Sequence, residues 1–421
     1  MLEYKFVIQN ADLVRKNLEK RQNPEYLKLL DELLNLEFQR KKRQVEMELA
    51  RSNRNKISRS VSEAKKQGIT DVSELISKAN NLDAGLKEKE SAAEEIFGKI
   101  KEILKKLPNL LDDNVPYGVD DTQNVTIKEW GSKKSSGKSH VDWLSERNYA
   151  DFDTASRVAG ARFYYLKGKL AKLDLALQLY ALEFLEKNDF EIILPPLMLH
   201  KKEYEGVTDL NAFEEVLYKI SDDDLYLIAT SEHPIVALHS ESDIPVESLP
   251  LKYAGFSPSF RKEVGAHGKD TKGIFRVHNF NKVEQVIFSK PEDSKKLFDE
   301  ILENTEKIMQ GLEIPYRLVN VCTGDIGIVA SKKIDLEAWM PHQQKYRELA
   351  SCSNCTSYQS VRSNIKQVDK HGTKSYLHTL NNTGLATTRT IVALIENNVN
   401  EENKLVLPKP LRKYFGDQEA I

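Results

Sequence analysis

Residues 260–284, FRKEVGAHGKDTKGIFRVHNFNKVE, crowd arginine, lysine, glutamate and histidine between hydrophobic runs, in a chain whose formal net charge is only −2. Successive side chains on a strand point to opposite faces, so residues two or four apart share one. Taken as a strand, IFRVHNFNKVEQVIF places Arg276, His278, Phe280, Lys282 and Glu284 on one face. Taken as its antiparallel neighbour, SPSFRKE puts Arg261 and Glu263 on a shared face, with VGAHGKDTKG as the connection. Arginine forks match phosphate oxygens, a phenylalanine ring offers a stacking plane, and carboxylates accept hydrogen bonds from amines. A solvated hairpin fits the same periodicity, with surface ion pairs worth about 0–1 kcal/mol each. Parity alone leaves both readings open.

Other segments share this grammar. YLIATSEHP puts Thr230 and Glu232 on one strand face just after an apolar run, and KYRELASCSNCTSYQ places Glu348 three residues before Ser351. LNNTGLATTRTIVALIENN reads as a turn rich in Asn, Thr and Gly, carrying Asn381 and Thr383 and feeding a helix that bears Arg389. His233, His278 and His378 show no nucleophile–base–acid spacing and read as structural or surface histidines. Cys352 and Cys355 have the C-x-x-C spacing, but no second C-x-x-C or H-x-x-x-H accompanies them, so the pair reads as structural. No G-x-x-x-x-G-K-[ST] or G-x-G-x-x-G occurs at a strand-to-helix turn, which disfavours both common parallel-sheet nucleotide folds.

These side chains need a scaffold, and the chain divides readily. Positions 33, 36, 40, 43, 47, 50, 54, 57, 61 and 64, and again 75, 79, 82, 86, 89, 93, 96, 100, 103 and 107, follow a 3-4 heptad spacing that is mostly apolar. Two such arms around KKQGIT predict an antiparallel coiled-coil hairpin over 1–107, ended by Pro108. Its first arm is basic, with Arg40, Lys41, Lys42, Arg43, Arg51, Arg54, Lys56, Arg59, Lys65 and Lys66. That excess suits a phosphate backbone, whose contacts gain free energy by counterion release, and equally a solvated helix face. Residues 108–140, rich in Asp, Asn, Gly, Ser and Pro, read as a linker. Beyond them, residues 141–421 alternate long amphipathic helices with strand-like runs such as LPLKYAGFSPSF, KVEQVIFS and YRLVNVC. The fold class is therefore α+β, with a mostly antiparallel sheet flanked by helices.

Composition narrows the class further. A chain of 421 residues with 40% hydrophobic content has room for two or three domains, and its near-neutral charge argues against wholesale coating of nucleic acid. Apolar runs such as EIILPPLML fall short of the roughly 20 residues that cross a bilayer, and MLEYKFVIQNADLVRK lacks a secretory core. No membrane association is expected, and a cytoplasmic location is the default. Three cysteines suit a reducing compartment.

At this point specific wording adds a resemblance. FRKEVGAHGKDTKGIFRVHNFNKVE resembles motif 2 of the class II aminoacyl-tRNA synthetases, in particular the seryl-tRNA synthetases. Pro195 and Pro196 resemble the end of motif 1, LNNTGLATTR resembles motif 3, and TSE, DLEAWMP and YRELASCSNC are similar to further segments of that family. The resemblance spans essentially the whole chain, and YEGVTDLNAF and LATTR are closer to its archaeal branch. It implies an ATP-dependent ligase that activates L-serine and transfers it to tRNA(Ser), with a selenocysteine tRNA as a second candidate acceptor. It also implies a homodimer and a tRNA-binding N-terminal hairpin.

Carried over residue by residue, the resemblance implies that Arg261 holds the ATP α-phosphate and stabilises charge during attack, and that Arg389 faces the γ-phosphate of a bent ATP from the side opposite Arg276. Arg276 would hold the γ-phosphate, Glu263 the adenine amino group, and Phe280 the base, with Lys262, Val277, Leu349 and Ala350 completing the ATP site. Glu348 and Ser351 would hold Mg2+. Thr230, Ser231, Glu232, Glu284, Asn381 and Thr383 would form the serine pocket. His267, Lys269 and Lys272 are candidates to approach the tRNA acceptor end. Departures are Asn382 and Thr383 where bacterial members commonly carry Gly-Ser, and Thr388 before Arg389. The match is to the ordinary form of the family, so no zinc is expected. Two rivals are a related ligase that loads a carrier protein, which would lack the hairpin, and a non-catalytic scaffold, which would lose Arg261, Glu263, Glu348 or Arg389.

Overall fold

The computed structural model describes residues 1–68, 71–264 and 272–421, and the chain separates into two compact units, Leu2–Pro108 and Asn109–Ile421 with Met1. In the smaller unit, helix α1 spans Pro24–Lys66 and helix α2 spans Ser73–Lys106. Pro24 suits a first helical position, where its missing N–H costs nothing, and the Asn23 side chain accepts the Glu25 N–H at 3.0 Å. The two helices pack along each other as an antiparallel pair, and the heptad positions form the seam. Leu33, Ile96, Ile100, Ile103 and Leu107 are buried, while Leu36, Met47, Ile57, Val61, Leu82 and Leu86 are half-buried. Arg54 departs from its expected seam position: it is exposed and pairs with Asp83 of the other arm at 3.0 Å, because a guanidinium keeps its head in water. Arg51–Glu90 at 2.6 Å and Lys89–Glu46 at 3.2 Å also join the arms.

The larger unit is built on an eight-stranded sheet. Its strands are β1 (Val125–Trp130), β2 (Glu191–Ile193), β3 (Leu251–Phe260), β4 (Asn279–Ser289), β5 (Tyr316–Asn320), β6 (Lys332–Met340), β7 (Lys345–Thr356) and β8 (His378–Ala386). They lie in the order β1-β5-β6-β7-β8-β4-β3-β2, antiparallel throughout except for the β2–β3 pair. Helices α3 (Gly168–Glu186), α5 (Ser294–Gly311) and α6 (Thr387–Asn398) pack apolar faces on the sheet, with Leu173, Leu177, Ile301, Ile308, Ile391 and Ile395 in one core. A short helix α4 (Glu232–Leu238) follows the turn at Thr230 and Ser231.

Three local expectations are corrected. Residues 108–140 are more than a linker, since the β-branched VTI of β1 adds an edge strand to the sheet. The strand expected from Ile274 begins only at Asn279. Gly273 turns the chain at φ +86°, and the buried side chains of Ile274, Phe275 and Val277 draw the following segment into the core instead of onto a ladder. LNNTGLA is no turn: it is strand β8, which runs directly into α6. The segment 265–271, which includes His267 and Lys269, lies outside the described residues, and Lys272 is exposed just beyond it.

Candidate active site

A cavity of about 620 Å³ opens where β4, β7 and β8 lie side by side and α4 and α6 begin. Strand parity delivers most of its walls. From β4 it receives Phe280, Lys282 and Glu284, while Val283 enters the core and the Gln285 amide donates to Ile301 O at 3.1 Å. From β8 it receives Asn381 and Thr383, with Thr383 directly opposite Glu284 in the register. Asn382 points the other way and donates to Ile301 O at 2.7 Å.

Glu348 and Ser351 reach this cavity together only because β7 is irregular. Residues three apart on an even strand face opposite sides. Opposite Leu336 and Glu337 of β6, however, the register steps from Ala350 to Glu348, so Leu349 is an extra residue. Such a bulge re-aims the side chains beyond it. The C-x-x-C pair has no such help: Cys352 packs in the core against Phe298 O, whereas Cys355 lines the cavity beside Asn381.

Thr230 and Glu232 do not share a strand face as expected. Thr230 lies in the turn after the short strand Leu225–Leu227, and Glu232 opens α4. The Glu232 N–H donates to Thr230 Oγ1 at 3.2 Å, so the turn brings both side chains to the cavity by a local hydrogen bond rather than by pleating. Ser231 is fully buried beneath it and donates to Gly255 O at 3.2 Å. His233 is structural: its ring meets Tyr204 and Phe213 edge-on, and burial, with Lys282 and Arg261 nearby, drives its pKa down to about 3.

Two arginines face the space. Arg261, just past β3, lies with its guanidinium 5.3 Å from the Phe280 ring centre. Burial and then the like charge of Arg389 pull its pKa below the ordinary arginine value. Arg389, on the first turn of α6, donates to the Glu348 carbonyl at 3.0 Å and carboxylate at 3.1 Å. Desolvation works to raise the Glu348 pKa, but Arg389, then Lys333 and Arg261, outweigh it and hold the carboxylate below its usual range. Glu232 is the opposite case: burial, and then the neighbouring Glu284 charge, push it up to about 7.

Of the residues expected at the site, Thr230, Glu232, Arg261, Phe280, Glu284, Glu348, Leu349, Ser351, Asn381, Thr383 and Arg389 line this cavity. Ser231, Lys262, Glu263, Arg276, Val277 and Ala350 do not, although Glu263 and Arg276 pair with each other at 2.9 Å close by. Val277 and Ala350 are core residues. Lys282, Lys333, Ser353, Cys355 and Gln359 also line the cavity without having been singled out as site residues. Strand parity marks Lys282, two residues before Glu284, but Gln359 comes from a five-residue helix, Tyr358–Arg362, that leaves no periodic signal.

Among the described residues no three His, Cys, Asp or Glu side chains converge as a metal cluster. Of the expected cation ligands Glu348 and Ser351 line the cavity, and Asp335, opposite Ser351 in the register, pairs with Lys333 through Oδ2 at 3.2 Å while its Oδ1 is buried without a hydrogen-bond partner. An all-oxygen set of this size fits a hard cation that keeps most of its ligands from water or a substrate.

Comparison with known proteins places this geometry. Residues 1–111 match the family described as the seryl-tRNA synthetase N-terminal domain, and residues 217–398 match the tRNA synthetase class II core domain (G, H, P, S and T). The chain is 48% identical to a serine–tRNA ligase of Methanospirillum hungatei over 100% of both chains. Among solved structures it is similar to the seryl-tRNA synthetase from Pyrococcus horikoshii complexed with ATP, with TM-score 0.96 and 42% identity over 100% of this chain and 99% of that one. It is also similar to the cytoplasmic serine–tRNA ligase of Naegleria fowleri in complex with AMP, with TM-score 0.89 and 33% identity over 98% of this chain and 95% of that one.

Proposed function

Because the chain belongs to the seryl-tRNA synthetases, ATP-dependent enzymes that join serine to tRNA, we propose that the cavity around Arg261, Glu232 and Glu284 is where serine is activated. The observation that carries this reading is charge placement. Arg261 and Arg389 line the cavity from the end of β3 and the start of α6, with Glu348 paired to Arg389, while Glu232 and Glu284 line it from the start of α4 and from β4. An amino acid joined to a nucleotide needs that division: anion-binding groups for phosphate and acceptors for the ammonium.

In the first step a serine carboxylate oxygen attacks the α-phosphorus of ATP, the bond to the bridging oxygen breaks, and pyrophosphate leaves. Arg261 is placed to hold the α-phosphate as charge builds on it, and Phe280 gives the adenine a flat surface. Arg389 faces Arg261 and serves the outer phosphates, and the Glu263–Arg276 pair borders the adenine and γ-phosphate ends. Leu349 lines that wall, with Val277 and Ala350 in the core and Lys262 outside the cavity lining. Glu348 and Ser351 would hold Mg2+, which, when bound, neutralises phosphate charge. In the second step a 3′-terminal ribose hydroxyl of tRNA(Ser) attacks the acyl carbon and AMP leaves. Positioning and preorganised charge supply the catalysis, with no covalent enzyme intermediate.

Thr230, Asn381 and Thr383 complete the serine pocket around the two carboxylates, with Ser231 buried beneath the turn that carries Thr230. A pocket that hydrogen-bonds a substrate hydroxyl rejects alanine strongly, because its own polar groups are left unpaired. A second copy of the chain is the proposed partner in a homodimer: α3 leaves Leu175 and Leu179 exposed, and the segment around β2 leaves Ile192, Leu194 and Leu197 exposed. Apolar side chains gathered along a helix and the strand after it suit a self-complementary face.

ATP–pyrophosphate exchange tests the site directly. Serine should support exchange where threonine, alanine and glycine do not, and Arg261→Ala should lower it by about 10²–10³, the scale of losing one charge-stabilising donor. Near-normal exchange in that variant would remove Arg261 from the reaction.

A further inference from the structure

The two pocket carboxylates are each tied down through a single oxygen. Glu284 is 2% exposed, and its Oε2 accepts from Lys282 Nζ at 2.7 Å and from Thr383 Oγ1 at 3.2 Å. Glu232 Oε1 accepts from Gln359 Nε2 at 2.8 Å and from Asn381 Nδ2 at 3.0 Å. The remaining oxygens, Glu284 Oε1 and Glu232 Oε2, make no hydrogen bond among the described residues, and neither is a buried atom left without a partner. Both carboxylates line the cavity. A carboxylate that is free to rotate offers either oxygen; one with a pinned oxygen offers the other in a fixed direction.

The pins are themselves built in. Lys282 is 6% exposed, and a buried ammonium is retained only where a carboxylate compensates its lost hydration. Burial lowers its pKa and the Glu284 charge opposes that shift. Gln359 is 1% exposed, and Thr379 Oγ1 donates to its Oε1 at 2.6 Å while its Nε2 is turned toward Glu232. The Gln359 Nε2 also reaches Val207 O at 3.3 Å, so the amide is held on both sides.

We infer that Lys282 and Gln359 are positioning residues for amino-acid recognition: each holds one oxygen of a carboxylate so that the other is presented to the polar groups of serine. This rests on the cavity being the serine site. Neither side chain touches the substrate in this scheme, and each acts through its carboxylate.

The test is steady-state ATP–pyrophosphate exchange with Lys282→Met and Gln359→Leu, varying serine and ATP separately. In each variant the KM for serine should rise about tenfold or more, while the KM for ATP stays within about twofold. Lys282→Arg should recover part of the serine KM. In a double-mutant cycle, Lys282→Met should add little to Glu284→Gln, and Gln359→Leu little to Glu232→Gln, since each pair acts as one unit. Parallel losses for serine and ATP, or full additivity within a pair, would overturn the inference. If Lys282→Met fails to fold, the Gln359 pair and Lys282→Arg decide it. Absence of serine-dependent exchange in the wild-type chain would instead sink the underlying site assignment.

Discussion

Glu232 shows how one residue ties recognition to pH. Its carboxyl is pushed up to about 7 from an ordinary 4.5 by burial first and by the Glu284 charge second. The folded chain therefore holds a proton there between roughly pH 4.5 and 7 that the unfolded chain has released. This group favours folding on the acidic side of that window, and the contribution is lost as pH rises through about 7. Binding runs the other way, because an ammonium needs the carboxylate. The kcat/KM for serine should climb toward tenfold per pH unit below pH 7 and level off above it, reporting the free enzyme. Glu232→Gln should flatten that limb, raise the serine KM, and remove the matching pH slope from denaturant unfolding. A limb that survives in Glu232→Gln would assign the titration elsewhere. How much of this was legible in the sequence differs residue by residue. Phe280 and Glu284 followed from strand parity, as did the side of β8 that carries Asn381 and Thr383 once it is known to be a strand. The burial of Glu232, and after it the approach to Glu284 that adds to the shift, is a tertiary arrangement of α4 and β4 that no local pattern carries.

Elements set the cavity by where they break their own regularity. The extra residue Leu349 brings Glu348 and Ser351 to one side, and Gly384 does the same on β8, where the register steps from Thr383 to Leu385. Bulges leave almost no mark in sequence, and neither β7 nor β8 was expected as a strand, so their re-aimed residues were supplied only by resemblance. The hairpin was the most legible element, because a heptad spacing repeated over long arms admits few other packings. Gly255 on β3 is less conspicuous and just as specific. A Cβ there would meet Ser231 Oγ at 2.8 Å and Ser231 Cβ at 3.0 Å, with Ile235 also in its way. The strand thus supports the turn that carries Thr230 and Glu232. Gly255→Ala should cost about 1–3 kcal/mol in denaturant unfolding, the usual range for overpacking. It should also raise the serine KM, since the turn that β3 supports carries Thr230 and Glu232. An unchanged serine KM would separate the turn from β3.

The whole molecule divides its labour between two compact units, one a helical pair with a basic first arm and the other holding the cavity. Several of the arm's cations are already committed, Arg51 to Glu90 and Arg54 to Asp83, so the charge count overstates what is available to a phosphate backbone. Lys42, Lys56 and Arg59 make no ion pair among the described residues and remain free for it. On the proposed reading serine activation uses only the cavity, and charging tRNA uses the arm as well. Deleting residues 28–105 should therefore spare ATP–pyrophosphate exchange and abolish aminoacylation. In a homodimer where one subunit's arm delivers tRNA to the other's active site, two defective chains can complement each other. Mixed with full-length Arg261→Ala, the arm-deleted chain keeps an intact cavity and its partner keeps an intact arm. Neither homodimer charges tRNA, but a heterodimer holds one complete crossed path. Random one-to-one assembly makes half the dimers mixed, each with one path of two, so charging should return to about one quarter of wild type. If tRNA is held and acylated within one subunit, no chain in the mixture is complete and charging stays at zero, so the mixture distinguishes the two arrangements in one assay.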